Sequence, residues 1–178
     1  DDLEYIDDTI TKNNSNINQL TLGNFNKLTT IRDNKLFENG RFATVDISTF
    51  TSLSQLPSFK NSNVTQITNI PSSIVTYPVN CFSNCDLLTS HVIPDTITSS
   101  LDNTFNDCDT LYSVTIGRFV DTINSSTPFN ACKSLTTLNI RQKESNVNKG
   151  NLIENIDNDN LASNDETYAD NNITINYI

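Results

Sequence analysis

Three stretches of the chain read Phe82-Ser-Asn-Cys85-Asp-Leu-Leu88-Thr-Ser-His91-Val-Ile93, Phe105-Asn-Asp-Cys108-Asp-Thr-Leu111-Tyr-Ser-Val114-Thr-Ile116 and Phe129-Asn-Ala-Cys132-Lys-Ser-Leu135-Thr-Thr-Leu138-Asn-Ile140. They share the template F-x-x-C-x-x-L-x-x-(V/L)-x-I, broken once by His91. The closing isoleucine recurs as Ile47, Ile70, Ile93, Ile116 and Ile140, at intervals of 23, 23, 23 and 24 residues. Phe59, Phe82, Phe105 and Phe129 keep the same step. Self-similarity at this period predicts a solenoid, in which each coil buries its apolar side only by stacking on the next.

Each coil divides on physical grounds. The L-x-x-V-x-I stretch alternates apolar and polar residues, which predicts a short strand with one buried face. Strands one coil apart run in the same direction, so they form a parallel sheet. A corner follows at Pro71, Pro94 or Gly117, then a further apolar pair such as Ile97 and Leu101, or Val120 and Ile123. The Phe turn that closes the coil is too short for a regular helix.

The outer coils fit less closely. Phe37-Glu-Asn-Gly40-Arg-Phe42-Ala-Thr-Val45-Asp-Ile47 lacks one residue and has Gly40 in the Cys position. Phe59-Lys-Asn-Ser62-Asn-Val64-Thr-Gln-Ile67-Thr-Asn-Ile70 has Val64 and Ile67 shifted by one, which a bulge would reconcile. Leu20-Thr-Leu22 is expected as a further strand and Ile173-Thr-Ile175-Asn-Tyr177-Ile178 as the last one. The organisation expected is one domain over 1–178: a cap at 1–19, repeats at 20–140, and a C-terminal cap at 141–178 with an acidic loop at 154–172. A polar-faced cap is what an open solenoid end requires.

Composition enters at three points. Apolar residues make up 35% of the chain, a content that can form a core only because they recur in register. There are 28 asparagines, explained equally by the demand for turns or by codon bias. The net charge is −10, and residues 61–117 contain no Lys or Arg. A nucleic-acid footprint needs a basic stripe, and docking on anionic lipid needs a basic cluster, so neither partner is expected. No stretch is apolar enough for membrane insertion. The chain starts at Asp1 without any Met, which suggests a processed or excised piece.

With its 23-residue step and the features Asn84-Cys85, Pro94 and Thr98, residues 37 to 140 resemble the BspA-like leucine-rich repeat. The resemblance implies an α/β-type leucine-rich-repeat solenoid: right-handed, of about five to seven coils of 23–24 residues, with parallel β on the concave face and turns or short 3-10 segments on the convex side. It also implies a cell-surface or secreted setting and, in several relatives, adhesion. His91, Gly40, Ser62 and Gly117 depart from the pattern.

Candidate chemistry is sparse. Cys85, Cys108 and Cys132 hold one repeat position and should stack inward as small apolar residues. Coils about 4.8 Å apart keep adjacent thiols beyond disulfide reach. Cys81 lies outside that column and reaches Cys85 only if the turn folds back. Spacings of 4, 23 and 24 do not make a zinc site, so no metal and no cofactor is expected. His91, the single histidine, takes an inward position and reads as a core residue; no partner set for catalysis accompanies it, and the chain is read as non-enzymatic. Asp157, Asp159, Asp165 and Glu166 lack the glycine turn and closing Glu of an EF-hand loop, which favours a solvated loop. The sequons at Asn13, Asn63, Asn124 and Asn172 are what chance supplies in so Asn-rich a chain.

What remains is the outward face of the strands. The residues between the anchors are Thr44, Asp46, Ser90, Val92, Ser113, Thr115, Thr137 and Asn139, with Arg141 at the end. This shallow hydrogen-bonding surface suits a protein or glycan partner rather than a small molecule, which wants an apolar pocket. The expectation is a monomeric, extracellular binding module of adhesin type; a spacer or oligomerisation unit without its own ligand is the alternative.

Overall fold

The computed structural model describes residues 5–6, 17–20, 22–120, 128–141 and 173–178. Among the described residues nine strands follow one another: β1 (Tyr5–Ile6), β2 (Ile17–Leu20), β3 (Thr30–Ile31), β4 (Phe42–Asp46), β5 (Gln66–Thr68), β6 (Ser90–Val92), β7 (Ser113–Ile116), β8 (Thr137–Ile140) and β9 (Thr174–Tyr177). Every pairing is parallel, in three sheets ordered β1-β3, β2-β4-β5 and β6-β7-β8-β9. The described residues thus form a parallel-β solenoid of about four turns, with almost no helix. Among the described residues helix is limited to one 3-10 turn, Arg32–Asn34, because the connections are short and dominated by turn-forming residues. Among the described residues the α/β character implied by the family resemblance is therefore reduced to that turn.

One strand placement differs from expectation. The early strand is Ile17–Leu20 rather than Leu20 to Leu22, with Leu20 paired to Val45. At the other end, β9 forms as expected, with Ile175 beside Leu138 and Tyr177 beside Ile140. The acidic stretch 154–172 and the sequons at Asn13, Asn124 and Asn172 lie outside the described residues, whereas Asn63 is exposed.

The Phe turns form the more regular side of the coil. The rings of Phe37, Phe59, Phe82, Phe105 and Phe129 stack in sequence at centroid distances of 4.8, 5.5, 5.4 and 5.6 Å. All five are buried. Near-parallel rings at this spacing gain an attraction of roughly 0.5–1.5 kcal/mol per pair beyond the area buried. Main-chain bonds tie the same column: Phe37, Phe59, Phe82 and Phe105 donate to Ser58, Cys81, Thr104 and Pro128 of the next coil.

Two residues after each Phe the backbone turns left-handed, at Asn39, Asn61, Asn84, Asp107 and Ala131, with φ between 56° and 60°. Among the described residues seven of the ten non-glycine residues with positive φ are Asn, so these turns use the asparagine that the composition supplies. The Asn84 amide donates to Asn61 Oδ1 and the Asn61 amide to Asn39 Oδ1, at 2.8 and 3.2 Å.

The next position points inward. The thiols of Cys85, Cys108 and Cys132 donate to the carbonyls of Phe59, Phe82 and Phe105 one coil back, at 3.1, 3.0 and 3.0 Å. All four cysteines, Cys81 included, are free and buried. Burial pushes the Cys85 thiol up to about 12, so it stays protonated and inert. Ser62 continues the column, its hydroxyl 3.6 Å from the Cys85 sulfur. Gly40 begins it because the Phe42 ring fills the space a side chain would need. Gly117 has a similar cause: a Cβ there would strike the Pro94 carbonyl.

The strand side is interrupted. Counting from the Phe, the inward strand residue sits eight positions on in two coils (Val45, Ile67) and nine positions on in three (His91, Val114, Leu138). The sheets divide at this change of count. Val45 pairs with Ile67, and His91 with Val114 and Leu138, but no ladder joins β5 to β6. With the Phe turns aligned, pairing β5 to β6 would set inward Ile67 beside outward Ser90. A slip of one residue exchanges the two faces of a strand. The chain keeps both apolar faces inward and gives up the ladder. The coil that begins at Phe59 recovers its lost residue at Asn69, which is left-handed with φ 56° and returns Ile70 toward the core. The expected bulge does not interrupt the strand, since Gln66–Thr68 pairs residue for residue with Thr44–Asp46, and the extra residue is taken up after it.

Candidate functional site

Alternation along the strands sorts the side chains. In β7 and β8, Val114, Ile116, Leu138 and Ile140 are buried, while Ser113, Thr115, Thr137 and Asn139 face outward. Parallel register aligns the outward residues into two rows, Ser90-Ser113-Thr137-Thr174 and Val92-Thr115-Asn139-Asn176. Thr44 and Asp46 sit apart from these rows, on β4, paired with Gln66 and Thr68 of β5.

The residues expected to form one surface are therefore brought together in two patches. Thr44 and Asp46 belong to the sheet β2-β4-β5; Ser90, Val92, Ser113, Thr115, Thr137 and Asn139 belong to β6 through β9, with Arg141 following β8. Gln66, Thr68, Thr174 and Asn176 join them and were missed. The signal was present, since each flanks an anchor (Ile67 or Ile175) already recognised as inward.

The face carries little charge. Asp46 accepts from the Ser48 backbone N–H at 2.8 Å and from the Asn69 amide at 2.8 Å. The Ser48 backbone bond, followed by the Ser48 side chain, holds its carboxyl below the usual value. Arg141 reaches Asp95 at 3.5 Å, and Asp95 also meets Arg118 Nε at 3.5 Å. The Arg118 backbone N–H, which donates to Asp95 at 3.0 Å, is the main cause lowering that carboxyl. These contacts are solvent-facing and add little stability. Asn176 donates its amide to Asn139 Oδ1 at 2.9 Å, extending the row of small polar groups.

His91 lies beneath this face with 6% of its surface exposed. Its Nε2 is 2.9 Å from the Tyr77 hydroxyl, with the direction of donation set by the imidazole tautomer. The Phe82 and Phe105 rings flank it at 4.8 and 5.7 Å. Burial lowers it to about 4, which keeps it neutral at physiological pH. The arrangement is that of a core histidine with a hydrogen-bond partner. Among the described residues no group of three or more His, Cys, Asp or Glu could hold a metal ion, and no helix is long and apolar enough to cross a membrane.

A cleft of about 390 Å³ opens between β5 and β6, lined by Thr65, Gln66, Ile67, Thr89, Ser90, His91 and Val92. It lies where the two sheets fail to join.

Comparison with known proteins identifies the repeat. The family model described as BspA type leucine rich repeat region matches residues 33–157 in six copies. The match takes in the whole of the stretch 37 to 140 singled out by its repeats. No curated protein matches the chain.

Proposed function

The chain belongs to the BspA-type leucine-rich repeat family, and from that membership we propose a non-enzymatic binding module of a cell-surface or secreted protein, working as an adhesin-type domain. Solenoids of leucine-rich repeats generally serve as protein-interaction scaffolds, and BspA-type members are typically surface or secreted proteins. The observation that carries the reading is the pair of outward rows on β6 to β9, in register across four strands. Ser, Thr and Asn side chains there offer donors and acceptors on a rigid surface. Such a surface engages a protein or glycan by many weak contacts that add on one face. The partner surface is uncharged or nearly so, since the rows themselves carry no formal charge. The isolated domain acts as a monomer.

The test is a binding array of matrix proteins and glycans, probed with the wild-type chain and with Thr115→Arg, which puts a bulky cation in the middle of the second row. Binding that depends on Thr115 supports the outward face as the site. A ligand that binds the variant equally well removes it.

One observation favours a second reading, as a spacer or self-association unit. β9 ends the order β6-β7-β8-β9, so its outer edge has no strand partner among the described residues. Sedimentation at several concentrations separates the two: a constant monomer mass speaks for the binding module, and a concentration-dependent mass for pairing through that edge.

A further inference from the structure

We propose that the cleft between β5 and β6 is a docking slot for an extended, uncharged polypeptide segment, recognised largely through its main chain. The inference rests on the binding-module reading and names a subsite and a ligand class within it.

Three observations point there. The coils on either side of the cleft stay joined at the turn, where Phe59 and Asn61 donate to the carbonyls of Cys81 and Ser83. Beyond the corner they are joined again, through Thr96 Oγ1 to the Ile74 carbonyl and the Thr98 N–H to the Val75 carbonyl. Only the strand stretch between these ties is unzipped, and there no main-chain bond joins β5 to β6 among the described residues. The opening is therefore bounded at both ends and has a fixed position.

Secondly, its walls are strand edges. β5 is bonded to β4 on its other side and β6 to β7 on its other side. A strand directs its N–H and C=O groups alternately to its two flanks, so each wall presents main-chain donors and acceptors at the strand repeat. A polypeptide in extended conformation carries the matching series, the basis of recognition by strand addition.

Thirdly, the lining selects among ligands. Five of its seven residues (Thr65, Gln66, Thr89, Ser90 and His91) are polar, and none carries a charge at neutral pH while His91 stays neutral. Small-molecule pockets are predominantly apolar, so the slot fits a peptide better. With no cation to hold an acidic segment and no carboxylate to hold a basic one, an uncharged sequence is selected. Ile67 and Val92 supply apolar contacts to alternate side chains. His91, with its ring fixed by Tyr77, Phe82 and Phe105, forms a firm floor.

The experiment is an NMR titration of the 15N-labelled chain with a pool of blocked pentapeptides built from Ser, Thr, Val and Asn, and separately with a pool of neutral oligosaccharides. Saturable shifts confined to the amides of residues 65–67 and 89–92, seen with the peptides alone, are the expected result. Ser90→Trp fills the slot from an exposed position and should weaken this binding by about tenfold or more, whereas Phe119→Ser, at an exposed position outside both outward rows and outside the cleft, should leave it unchanged. Shifts spread over β7 and β8 and lost in Thr115→Arg would overturn the slot while leaving the general binding face intact. Shifts with the oligosaccharides but not the peptides would overturn the ligand class. No shift at these amides with either pool, or amide exchange in β5 and β6 as slow as in β7 and β8, would show a closed seam and overturn the proposal.

Discussion

On the turn side of the solenoid five phenylalanines stack from Phe37 to Phe129 without a break, whereas on the strand side the ladder stops between β5 and β6. The same coils are joined on one flank and parted on the other. The turn tolerates irregular coils because each Phe needs only the ring before it, and a coil of 22 residues places its ring as well as one of 23. A strand is less forgiving, since its partner must agree in both position and facing. The turn sets the stacking of the coils, and the number of residues from turn to strand decides which coils also share a sheet.

The comparison is broken most directly at Phe105. Phe105→Ala should destabilise the chain by about 3–5 kcal/mol, through lost burial and the cavity left between Phe82 and Phe129. On the strand side of the same coil, Ile116→Val removes a single methylene and should cost about 1 kcal/mol. Urea unfolding of both variants measures the two. A Phe105→Ala loss no larger than that of Ile116→Val would mean that the ring column is not what holds the coils.

The next largest effect concerns pH. Burial depresses His91 from 6.5 to about 4 in the folded chain. Above pH 6.5 the imidazole is neutral whether folded or unfolded and contributes no pH dependence. As pH falls from 6.5 toward 4 the unfolded chain takes up a proton that the folded chain refuses, and stability falls by roughly 3 kcal/mol over that window. Replacing His91 by Val, the residue at the matching place in β7, together with Tyr77→Phe to avoid an orphaned hydroxyl, should remove that part of the slope. Carboxylates titrate toward the acid end in both proteins, so the difference between the two curves isolates His91. Equal slopes would place the imidazole in water, against its buried position at the floor of the cleft.

The seam itself can be moved. Inserting one residue after Ser62 and deleting Asn69 would give coil 59 the nine-residue count of its C-terminal neighbours without changing its length. β5 should then join β6 and part from β4, which keeps the count of eight. Because one ladder replaces another, the net change in stability is within about 1 kcal/mol, and the readout is amide exchange: slower at 89–92, faster at 42–46. Unchanged exchange at both places would refute the counting rule.

Much of this was legible in the sequence, and what was not has a physical reason. The Phe column, the inward Cys position and the parallel strands follow from intervals that can be counted, and β9 from the alternation of Ile173, Ile175 and Tyr177. The irregular coil was also visible, as the shift of Val64 and Ile67. Its consequence was not, because a one-residue slip reads as a local bulge until the facing of the neighbouring strand is considered. The outward residues were consequently taken as one surface, and Thr44 and Asp46 proved to sit on a different sheet from Ser90 and Val92. His91 was placed inward, but its partner Tyr77 lies 14 residues away in a connecting segment with no repeat signal. Asparagine's role was left undecided by composition; the left-handed turns give it one.

That column of turns supplies the smallest and most local test. Ala131 occupies the place held by Asn39, Asn61, Asn84 and Asp107 in the other coils and has φ 56°. A Cβ in the left-handed region crowds the following carbonyl at a cost of about 1–2 kcal/mol, which Asn offsets in part through its local hydrogen bonds and Gly avoids altogether. Ala131→Asn should therefore stabilise the chain by up to about 1 kcal/mol, a rise in Tm of about 2–4 °C in a chain of this size. Ala131→Gly should also stabilise, by less than the relief of strain alone, because glycine gains freedom in the unfolded chain. The reverse change, Asn84→Ala, should destabilise by more than Ala131→Asn gains, since it also removes the amide bond to Asn61. If Asn and Gly at 131 both leave the melting temperature unchanged, the turn in that coil is not left-handed in solution, and the uniformity of the turn side ends before its last ring.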